Sequence, residues 1–258
     1  VLNADNAASR RLAPSRPQTY WFSRKELITQ GTFLRGDEII FHSRKQEELL
    51  LRLDEIPLPG THNLENVLAA VTAARLVGAP HNSIAEAVRT FAGVEHRLEF
   101  VAEIAGVRYY NDSKATNVDA TLKTLEAFPG RVLVILGGKD KGSDYEPLQQ
   151  ALKDRSVLAL LIGEAAEKIE RQIAGSVSIE RAGTLERAVA IASQAARRGD
   201  IVLLAPACAS FDQFKNYEDR GRIFKDLVRR GQRQTLEEFP SHGSNGGQSP
   251  PNSSQLET

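Results

Sequence analysis

The first part of the chain alternates between apolar and polar residues. The alternation is clearest in TYWFS, EIIFHS and ELLLRL, which all lie between residues 17 and 56. A period of two predicts strands with one buried face. Because Gly36-Asp37 separates two of these runs and favours a turn, we expect the strands to pair as antiparallel hairpins. A stretch rich in Pro and Gly at 57–60 then ends the pattern.

From Thr61 the apolar residues recur every three or four positions, which is the period of a helix. They form a single stripe: Leu64, Val67, Leu68, Val71 and Ala74. Gly78 and Pro80 predict the end of this helix, and a second helix is predicted at 83–91. The first body of the chain is therefore expected to combine hairpins with two helices.

Beyond Gly93, strand-like and helix-like segments alternate. The predicted strands are LEFVAEI, VRYYND, RVLVILGG, VLALLIG, SVSIERA and DIVLLAPA. The predicted helices are 116–128, EAAEKIERQI, a helix capped by Thr184 and ended by Gly199, and FDQFKNYEDRGRIFKDLVRR. Near-continuous apolar strands in repeated βα units predict an α/β fold with a mostly parallel sheet covered on both faces. The Ser/Gly/Pro-rich end of the chain is expected to be a disordered tail.

Composition narrows the classes of partner. The 258 residues include 33 Lys+Arg and 33 Asp+Glu, so no net charge attracts nucleic acid or a membrane surface. No apolar run approaches the roughly 20 residues of a membrane helix. The single cysteine, Cys208, excludes an intrachain disulfide and favours a reducing cytoplasm. Because the sequence contains no Met, we expect a processed chain or a fragment, and we favour a fragment.

Polar residues follow the second predicted strand of the α/β segment, in Asp112-Ser113-Lys114-Ala115-Thr116. Thr116 and Asp119 match the S/T-x-x-D/E capping signature, so a helix is expected to start there. The N–H groups of such a start, together with Lys114, favour an anion. An N-cap within a solvated loop explains the same residues about equally well.

Two further clusters follow later strands. Residues 137–142 read GGKDKG, in which glycines allow close approach to a ligand and lysines offer charge to a carboxylate or phosphate. Residues 206–211 read PACASF, in which small residues precede a hydroxyl. Cys208 could be a nucleophile there, but no His lies in the cluster to activate it, so a buried filler is the favoured interpretation. Since ligands of open α/β sheets bind beyond the carboxyl ends of strands, all three clusters are candidate sites.

Polar residues in the first body suggest a nucleotide. His62 and Asn66 are one helical turn apart on the side away from the apolar stripe, with Asn63 at its edge. The amides of Asn63 and Asn66 could contact a base or could simply cap the helix. Arg97, at the seam between the two bodies, is placed to clamp a phosphate. The sequence contains no phosphate-loop, dinucleotide-fold, zinc-protease or paired-cysteine metal motif, so no metal ligands are predicted in it.

Five stretches, taken in order, carry a resemblance to a known enzyme family. They are GTHNLENVLAAVTAARLVG, FAGVEHRLEF, YYNDSKATNVDATLKTL, ILGGKDKGSDY and LLAPACASFDQFKNYEDRGRIF. Together they resemble the second half of a Mur ligase, over roughly residues 1–231. The resemblance implies the back part of the α/β ATPase central domain in 1–93, a C-terminal Rossmann-like domain in 94–233 and a disordered tail in 234–258.

The resemblance also implies a reaction. NDSKATNV and PACASFDQFKNYEDRG resemble the branch that adds D-glutamate to UDP-N-acetylmuramoyl-L-alanine in peptidoglycan synthesis, with ATP and Mg²⁺, through an acyl phosphate. Such enzymes are expected to be cytoplasmic monomers that serve cell-wall biogenesis, cell shape and division. The family's UDP-binding domain, phosphate loop and metal ligands have no counterpart in this sequence, so the chain alone is expected to be inactive.

Site residues follow from the same resemblance, position by position. Asn63, Asn66, Arg97 and Asp112 are expected at the nucleotide, and Lys114 and Arg97 are expected to serve catalysis. The residues expected around D-glutamate are Thr116, Lys141, Ser210, Phe211 and Tyr217. Two other functions stay open: another amide ligase similar to folylpolyglutamate synthase, or a non-catalytic ligand-binding chain.

Overall fold

A computed structural model describes residues 1–11, 13, 18–43, 46–128 and 130–238, with side chains described as far as 233. The described strands form two sheets. Five strands lie in chain order in the first sheet, and six form the second in the order β10-β9-β8-β11-β7-β6. The division into an N-terminal and a C-terminal sheet agrees with the change of pattern seen near Gly93.

The N-terminal body contains short strands followed by two helices. Its elements are β1 (Leu2–Asn3), α1 (Ala7–Arg11), β2 (Trp21–Ser23), β3 (Gly31–Arg35), β4 (Glu38–Ser43), β5 (Gln46–Arg52), a 3₁₀ turn (Leu53–Glu55), α2 (Thr61–Leu76) and α3 (His81–Thr90). Helix α3 therefore begins two residues before the predicted start. The expected hairpins are present only from β3 to β5, where β4 pairs antiparallel with both neighbours.

The TYWFS segment is not part of a hairpin, which corrects the prediction for that run. Strand β2 pairs parallel with both β1 and β3. Alternation fixes which face of a strand is buried but leaves its direction open. Gly31 permits the close approach of β2 and β3, since a Cβ atom there would lie 1.8 Å from the carbonyl oxygen of Trp21.

Helix α2 packs its predicted stripe on the N-terminal sheet. Val67, Leu68 and Val71 are buried in one cluster with residues of β4 and β5, while Leu64 and Ala74 are partly buried at its margin. Thr72 is also buried and donates a hydrogen bond to Leu68 O at 2.6 Å. The opposite, polar face of α2 is thereby turned towards the C-terminal body.

The C-terminal body alternates strands and helices as predicted, with one further helix at Leu148–Arg155 that sequence analysis did not predict. Its elements are β6 (Glu99–Ile104), β7 (Val107–Asn111), α4 (Val118–Glu126), β8 (Val132–Gly137), α5 (Leu148–Arg155), β9 (Ser156–Ile162), α6 (Ala166–Ile173), β10 (Ile179–Gly183), α7 (Leu185–Ala195), β11 (Ile201–Leu204) and α8 (Tyr217–Glu238). Strands β7 to β11 pair in parallel, and only β6 is antiparallel to its neighbour β7. The mostly parallel sheet is confirmed.

Both faces of this sheet are buried. One core cluster contains residues of α4, α5 and α6, and a second contains residues of α7 and α8. Because every residue of β8 and β11 is buried, these two strands form the centre of the fold. No helix within the described residues combines the length and the apolar composition needed to cross a bilayer.

Helices α4 and α6 each start two residues later than predicted, at Val118 and Ala166, and boundaries of α7 and α8 also differ from the predictions. Thr184 caps α7 as expected, by accepting a hydrogen bond from Arg187 N at 3.3 Å, but the helix ends at Ala195 rather than at Gly199. Helix α8 starts at Tyr217, because residues 211–216 form turns instead of a first helical turn. It continues to Glu238, so the predicted tail does not start at 234; residues 239–258 lie outside the described part.

Candidate functional site

The three polar clusters predicted from the sequence meet at one edge of the C-terminal sheet. They follow β7, β8 and β11, which are neighbours because β11 lies between the other two. Backbone hydrogen bonds join them: Ala207 N donates to Ala115 O at 3.0 Å, and Lys139 N donates to Ala209 O at 2.9 Å. Parallel strands present their carboxyl ends at the same edge, which is where ligands of such sheets bind.

Gly137 and Gly138 are required by the backbone rather than by a ligand. Their φ angles are 115° and 134°, in the region that side chains disfavour. A Cβ atom on Gly138 would lie 2.3 Å from Ala209 O, and one on Gly137 would lie 2.0 Å from Ile162 O. Gly138 therefore allows the second cluster to pass directly beside the third, and Gly137 allows it to pass beside the end of β9.

Arg220 is the central functional residue that sequence reasoning missed. Its side chain, on α8, is fully buried. The guanidinium donates to Ser113 Oγ and Ser113 O at 2.9 Å, to Cys208 O at 3.2 Å and to Ala209 O at 3.3 Å. Burial lowers its pKa to about 10, so the group stays charged at neutral pH. Arg220 thus links the first and third clusters from beneath.

The first cluster combines one exposed cation with buried neighbouring residues. Ser113 is buried and donates to Tyr217 O at 2.8 Å. Lys114 is exposed, and its ammonium lies 5.7 Å from the centre of the Tyr217 ring. His96, which is buried, accepts a backbone hydrogen bond from Lys114 N at 3.1 Å. The cluster is held by buried neighbours while the lysine amine remains free to contact a ligand.

Thr116 is not the N-cap of α4, which corrects the capping prediction. The cap is Asn117, whose side chain accepts from Ala120 N at 2.8 Å. Thr116 lies before the helix because its N–H turns back to Lys114 O at 2.8 Å. Its hydroxyl is consequently not used by the capping interaction, and Thr116 remains a candidate ligand-binding residue.

A polar cleft of about 460 Å³ lies between α2 and the first cluster. Its lining includes His62, Asn66, Arg97, Asp112 and Lys114, which sequence analysis proposed, together with Lys123, which it did not. Arg97, Lys114 and Lys123 are candidate partners for the phosphate oxygens of a nucleotide, although Glu65, Asp112 and Asp119 line the same cleft and balance their number. The amphipathic spacing of α4 would have placed Lys123 on its polar face, but nothing in the sequence pairs that face with α2.

Asn63 is separate from the other predicted nucleotide residues. It is buried, donates to Pro59 O at 2.7 Å and lines an adjoining apolar groove with Val67, Val88 and Phe91. Asn66 and Arg97 line both the groove and the polar cleft. The structure therefore brings Asn66, but not Asn63, to the polar cleft.

The surroundings shift the pKa values of two groups in the cleft, Asp112 and His62. Burial raises the pKa of Asp112, against the opposing hydrogen bond from Thr124. Burial, followed by the nearby Arg97 and Lys123, lowers the pKa of His62. A neutral His62 at pH 7 leaves the lysine and arginine side chains as the cations of the cleft.

The residues expected around D-glutamate follow three strands that are neighbours in the sheet, β7, β11 and β8, or lie at the start of α8. Lys141 is exposed on the loop after β8, and Ser210 is buried after β11. Phe211 is 66% exposed and Tyr217 is half-buried. Cys208 is buried, and burial raises its pKa to about 11, so it is a filler and not an activated nucleophile.

Residues 96–208 match a family described as "Mur ligase, glutamate ligase domain". A UDP-N-acetylmuramoylalanine–D-glutamate ligase of Acidobacterium capsulatum is 56% identical over 231 residues, which cover 88% of this chain and 50% of that protein. The chain carries the glutamate ligase domain of the Mur ligase family. A protein of the same name from Koribacter versatilis is 52% identical over 89% of this chain and 51% of its own length. The chain spans about half the length of the curated relatives it matches.

Solved structures of Mur ligases share the fold. A pseudomurein peptide ligase type C from Methanothermus fervidus superimposes with a TM-score of 0.63 at 15% identity, over 89% of this chain and 56% of that one. A MurF ligase from Thermotoga maritima in complex with ADP gives a TM-score of 0.56 at 16% identity, over 88% and 53%. The α/β fold predicted from the sequence is therefore shared with ligases of known structure.

Proposed function

We propose that the chain is the nucleotide-closing and D-glutamate-binding part of an ATP-dependent ligase. The whole enzyme would join D-glutamate to the carboxylate of UDP-N-acetylmuramoyl-L-alanine during peptidoglycan synthesis. One observation carries the proposal: the clusters at 112–116, 137–142 and 206–211 meet at one sheet edge, beside a cleft with three cations. The names of the relatives from Acidobacterium capsulatum and Koribacter versatilis supply the substrates.

The residues of the cleft fit ATP. Arg97, Lys114 and Lys123 would hold phosphate oxygens, Asn66 would contact the base, and Asp112 would accept from a ribose hydroxyl. The ADP named with the Thermotoga maritima MurF ligase agrees with a nucleotide site in this fold. Within the described residues, no group of three or more His, Cys, Asp or Glu side chains could hold a metal ion. Mg²⁺ would offset the phosphate charge, and we infer that its protein ligands come from the part of the whole enzyme that this chain does not span.

The amide bond would form in two steps. The γ-phosphoryl group of ATP is transferred to the substrate carboxylate, and the amine of D-glutamate then attacks the acyl phosphate and releases phosphate. Lys114 lies between the nucleotide cleft and Thr116, so its ammonium can stabilise the negative charge that develops on the transferring group. Lys141, Ser210 and the ring of Phe211 would hold the D-glutamate carboxylates and side chain.

Closure of the C-terminal body over the nucleotide would protect the acyl phosphate. Arg97 lines the cleft from the C-terminal body, and His62 and Asn66 line it from α2. A nucleotide bound in the cleft would bridge the two bodies and exclude water that would otherwise hydrolyse the intermediate. The balanced charge gives no attraction to nucleic acid or a membrane surface, and the single buried cysteine fits a reducing cytoplasm. There the enzyme would act as a monomer in cell-wall biogenesis, cell shape and division.

A fusion protein tests the proposal. The chain is joined to the half of the Acidobacterium capsulatum relative that it does not match, and ADP release is followed with ATP, Mg²⁺ and UDP-N-acetylmuramoyl-L-alanine. We expect release that depends on D-glutamate, with L-glutamate and D-aspartate as control amines. Equal release with and without D-glutamate, from a folded fusion protein, would refute the proposal.

A further inference from the structure

Asp140 organises the loop that carries Lys141. One carboxylate oxygen, Oδ1, accepts hydrogen bonds from Gly142 N at 3.1 Å and from Ser143 N at 3.2 Å. The two amides are those of the residues that follow Lys141, so the backbone folds around the carboxylate as a tight turn. The backbone around Lys141 is thereby held by the side chain of its neighbour Asp140.

Two buried or half-buried side chains hold this carboxylate in turn. Tyr145, which is fully buried, donates to Asp140 Oδ1 at 2.9 Å. Lys168, from α6, lies 2.9 Å from Asp140 Oδ2. Burial alone would raise the pKa of Asp140, but the hydrogen bonds from Lys168 and Tyr145 outweigh it and lower the pKa. Asp140 is therefore a charged anchor at neutral pH.

The same network reaches the neighbouring strand end. The Tyr145 hydroxyl lies 3.0 Å from Cys208 Sγ, and Lys139 N donates to Ala209 O at 2.9 Å. Ser210 follows these two residues directly. The turn after β8 and the segment after β11 are thus joined on both sides of Asp140.

We propose that Asp140 is a positioning residue of the D-glutamate site, which holds Lys141 at a fixed place relative to Ser210. The inference rests on the proposed function, because Lys141 and Ser210 are the groups assigned there to the two carboxylates of D-glutamate. A lysine has four rotatable side-chain bonds and loses little of that freedom on an exposed loop. A fixed backbone turn reduces the conformational entropy that the loop loses when the amino acid binds.

A merely structural role for Asp140 makes a different prediction. If the carboxylate only stabilises the loop, its removal lowers protein stability and total activity without selecting one substrate. If it positions Lys141, its removal weakens D-glutamate binding and leaves the nucleotide cleft intact. The two effects are separated by the KM of each substrate and by the interaction between substitutions at 140 and 141.

The experiment compares variants of the fusion protein by steady-state kinetics. We expect Asp140→Ala to raise the KM for D-glutamate by about 10- to 100-fold, the cost of misplacing a binding group by roughly 1 Å. The KM for ATP should stay within about twofold of the wild-type value, because the nucleotide cleft is left intact. A twofold change corresponds to less than 1 kcal/mol. Asp140→Asn keeps an oxygen for the two N–H groups and should restore part of the loss. Asp144→Ala removes an acid of the same loop that accepts from Glu146 N and Gln172, and it should match the wild type.

A double-substitution cycle with Lys141→Ala decides whether Asp140 acts through the lysine. Once Lys141 is absent, Asp140→Ala should add less than about threefold to the KM for D-glutamate. Additive effects, or an unchanged KM in Asp140→Ala alone, would overturn the proposal. So would an equal rise of both KM values.

Amide exchange of the chain itself supplies a readout that needs no activity. We expect the amides of Gly142 and Ser143, followed by NMR, to exchange at least about 10-fold faster in Asp140→Ala than in the wild type or in Lys141→Ala. Unchanged exchange would overturn the role of Asp140 in the turn. A fusion protein that shows this exchange pattern but no D-glutamate-dependent reaction would instead refute the proposed function and, with it, the assignment of the turn to D-glutamate.

Discussion

Replacing Arg220 by Met should destabilise the site more than any change of an exposed arginine. Met has a similar length and no charge, so the substitution removes the hydrogen bonds of the guanidinium with little change in volume. Four acceptor atoms lose a donor: Ser113 Oγ, Ser113 O, Cys208 O and Ala209 O. At about 1.5 kcal/mol for each bond from a charged donor, the gross loss is roughly 6 kcal/mol.

Relief of the buried charge returns part of this loss. Burial lowers the pKa of Arg220 to about 10, and a shift of that size corresponds to roughly 3 kcal/mol of unfavourable charge burial. The net cost of Arg220→Met is therefore about 3 kcal/mol. Ala209 O keeps its hydrogen bond from Lys139 N in the variant. The carbonyls that lose the hydrogen bonds of the guanidinium without this second donor are Ser113 O and Cys208 O.

Urea unfolding and amide exchange measure the effect. Exchange in peptides covering 112–116 and 206–211 gives the local free energy of opening, which is needed because two bodies need not unfold together. Arg222→Met is the matched control, since Arg222 lies on the same helix with a half-exposed side chain that pairs with Asp219 at 3.5 Å. A loss below about 1 kcal/mol, or one equal to the control, would refute the claim that Arg220 ties the strand ends together.

Three further predictions concern activity and pH. Lys141→Ala in the fusion protein should raise the KM for D-glutamate by roughly 30- to 150-fold, the loss of one charge-assisted hydrogen bond, with the KM for ATP nearly unchanged; an unchanged D-glutamate KM and kcat would remove Lys141 from the site. The chain without a fusion partner should make no product, because its sequence contains no phosphate loop; D-glutamate-dependent ADP release from it would contradict this. Burial lowers the pKa of His96, so the folded state binds fewer protons than the unfolded state. The free energy of unfolding should therefore fall as the pH drops from about 7 through 6.5, by at most about 1.4 kcal/mol per pH unit. His96→Asn should flatten that dependence, and an unchanged slope in urea titrations would exclude His96 as its source.

The convergence of the three clusters could be predicted because it depends on strand order alone. Continuous apolar runs identified β7, β8 and β11, and parallel strands place whatever follows them at a common edge. The burial of the α2 stripe followed from helical periodicity in the same way. Both predictions use patterns that one element carries within itself.

The features that escaped prediction depend on contacts between distant segments. Arg220 occupies an amphipathic helix in which an arginine normally faces water, and its burial is explained by acceptors on distant segments, among them the carbonyls of Ser113 and Cys208. The parallel pairing of β2 with β3 likewise depends on a contact between strands. The capping of α4 by Asn117 is local, and it was missed because Thr116 and Asp119 match the capping signature one residue earlier. Asp140 carried no signal because its partners, Tyr145 and Lys168, are 5 and 28 residues away.

Residue-resolved NMR of the chain, titrated first with ADP and then with D-glutamate, tests the central claim most directly. ADP should shift the amide signals around Asn66, Arg97 and Lys114, which line the polar cleft. D-Glutamate, added to the ADP-bound chain, should then shift those of Lys141 and Ser210 on the neighbouring strand ends. Shifts confined to the groove between α7 and α8, lined by Val189 and Leu227 on the far face of the sheet, would contradict the account.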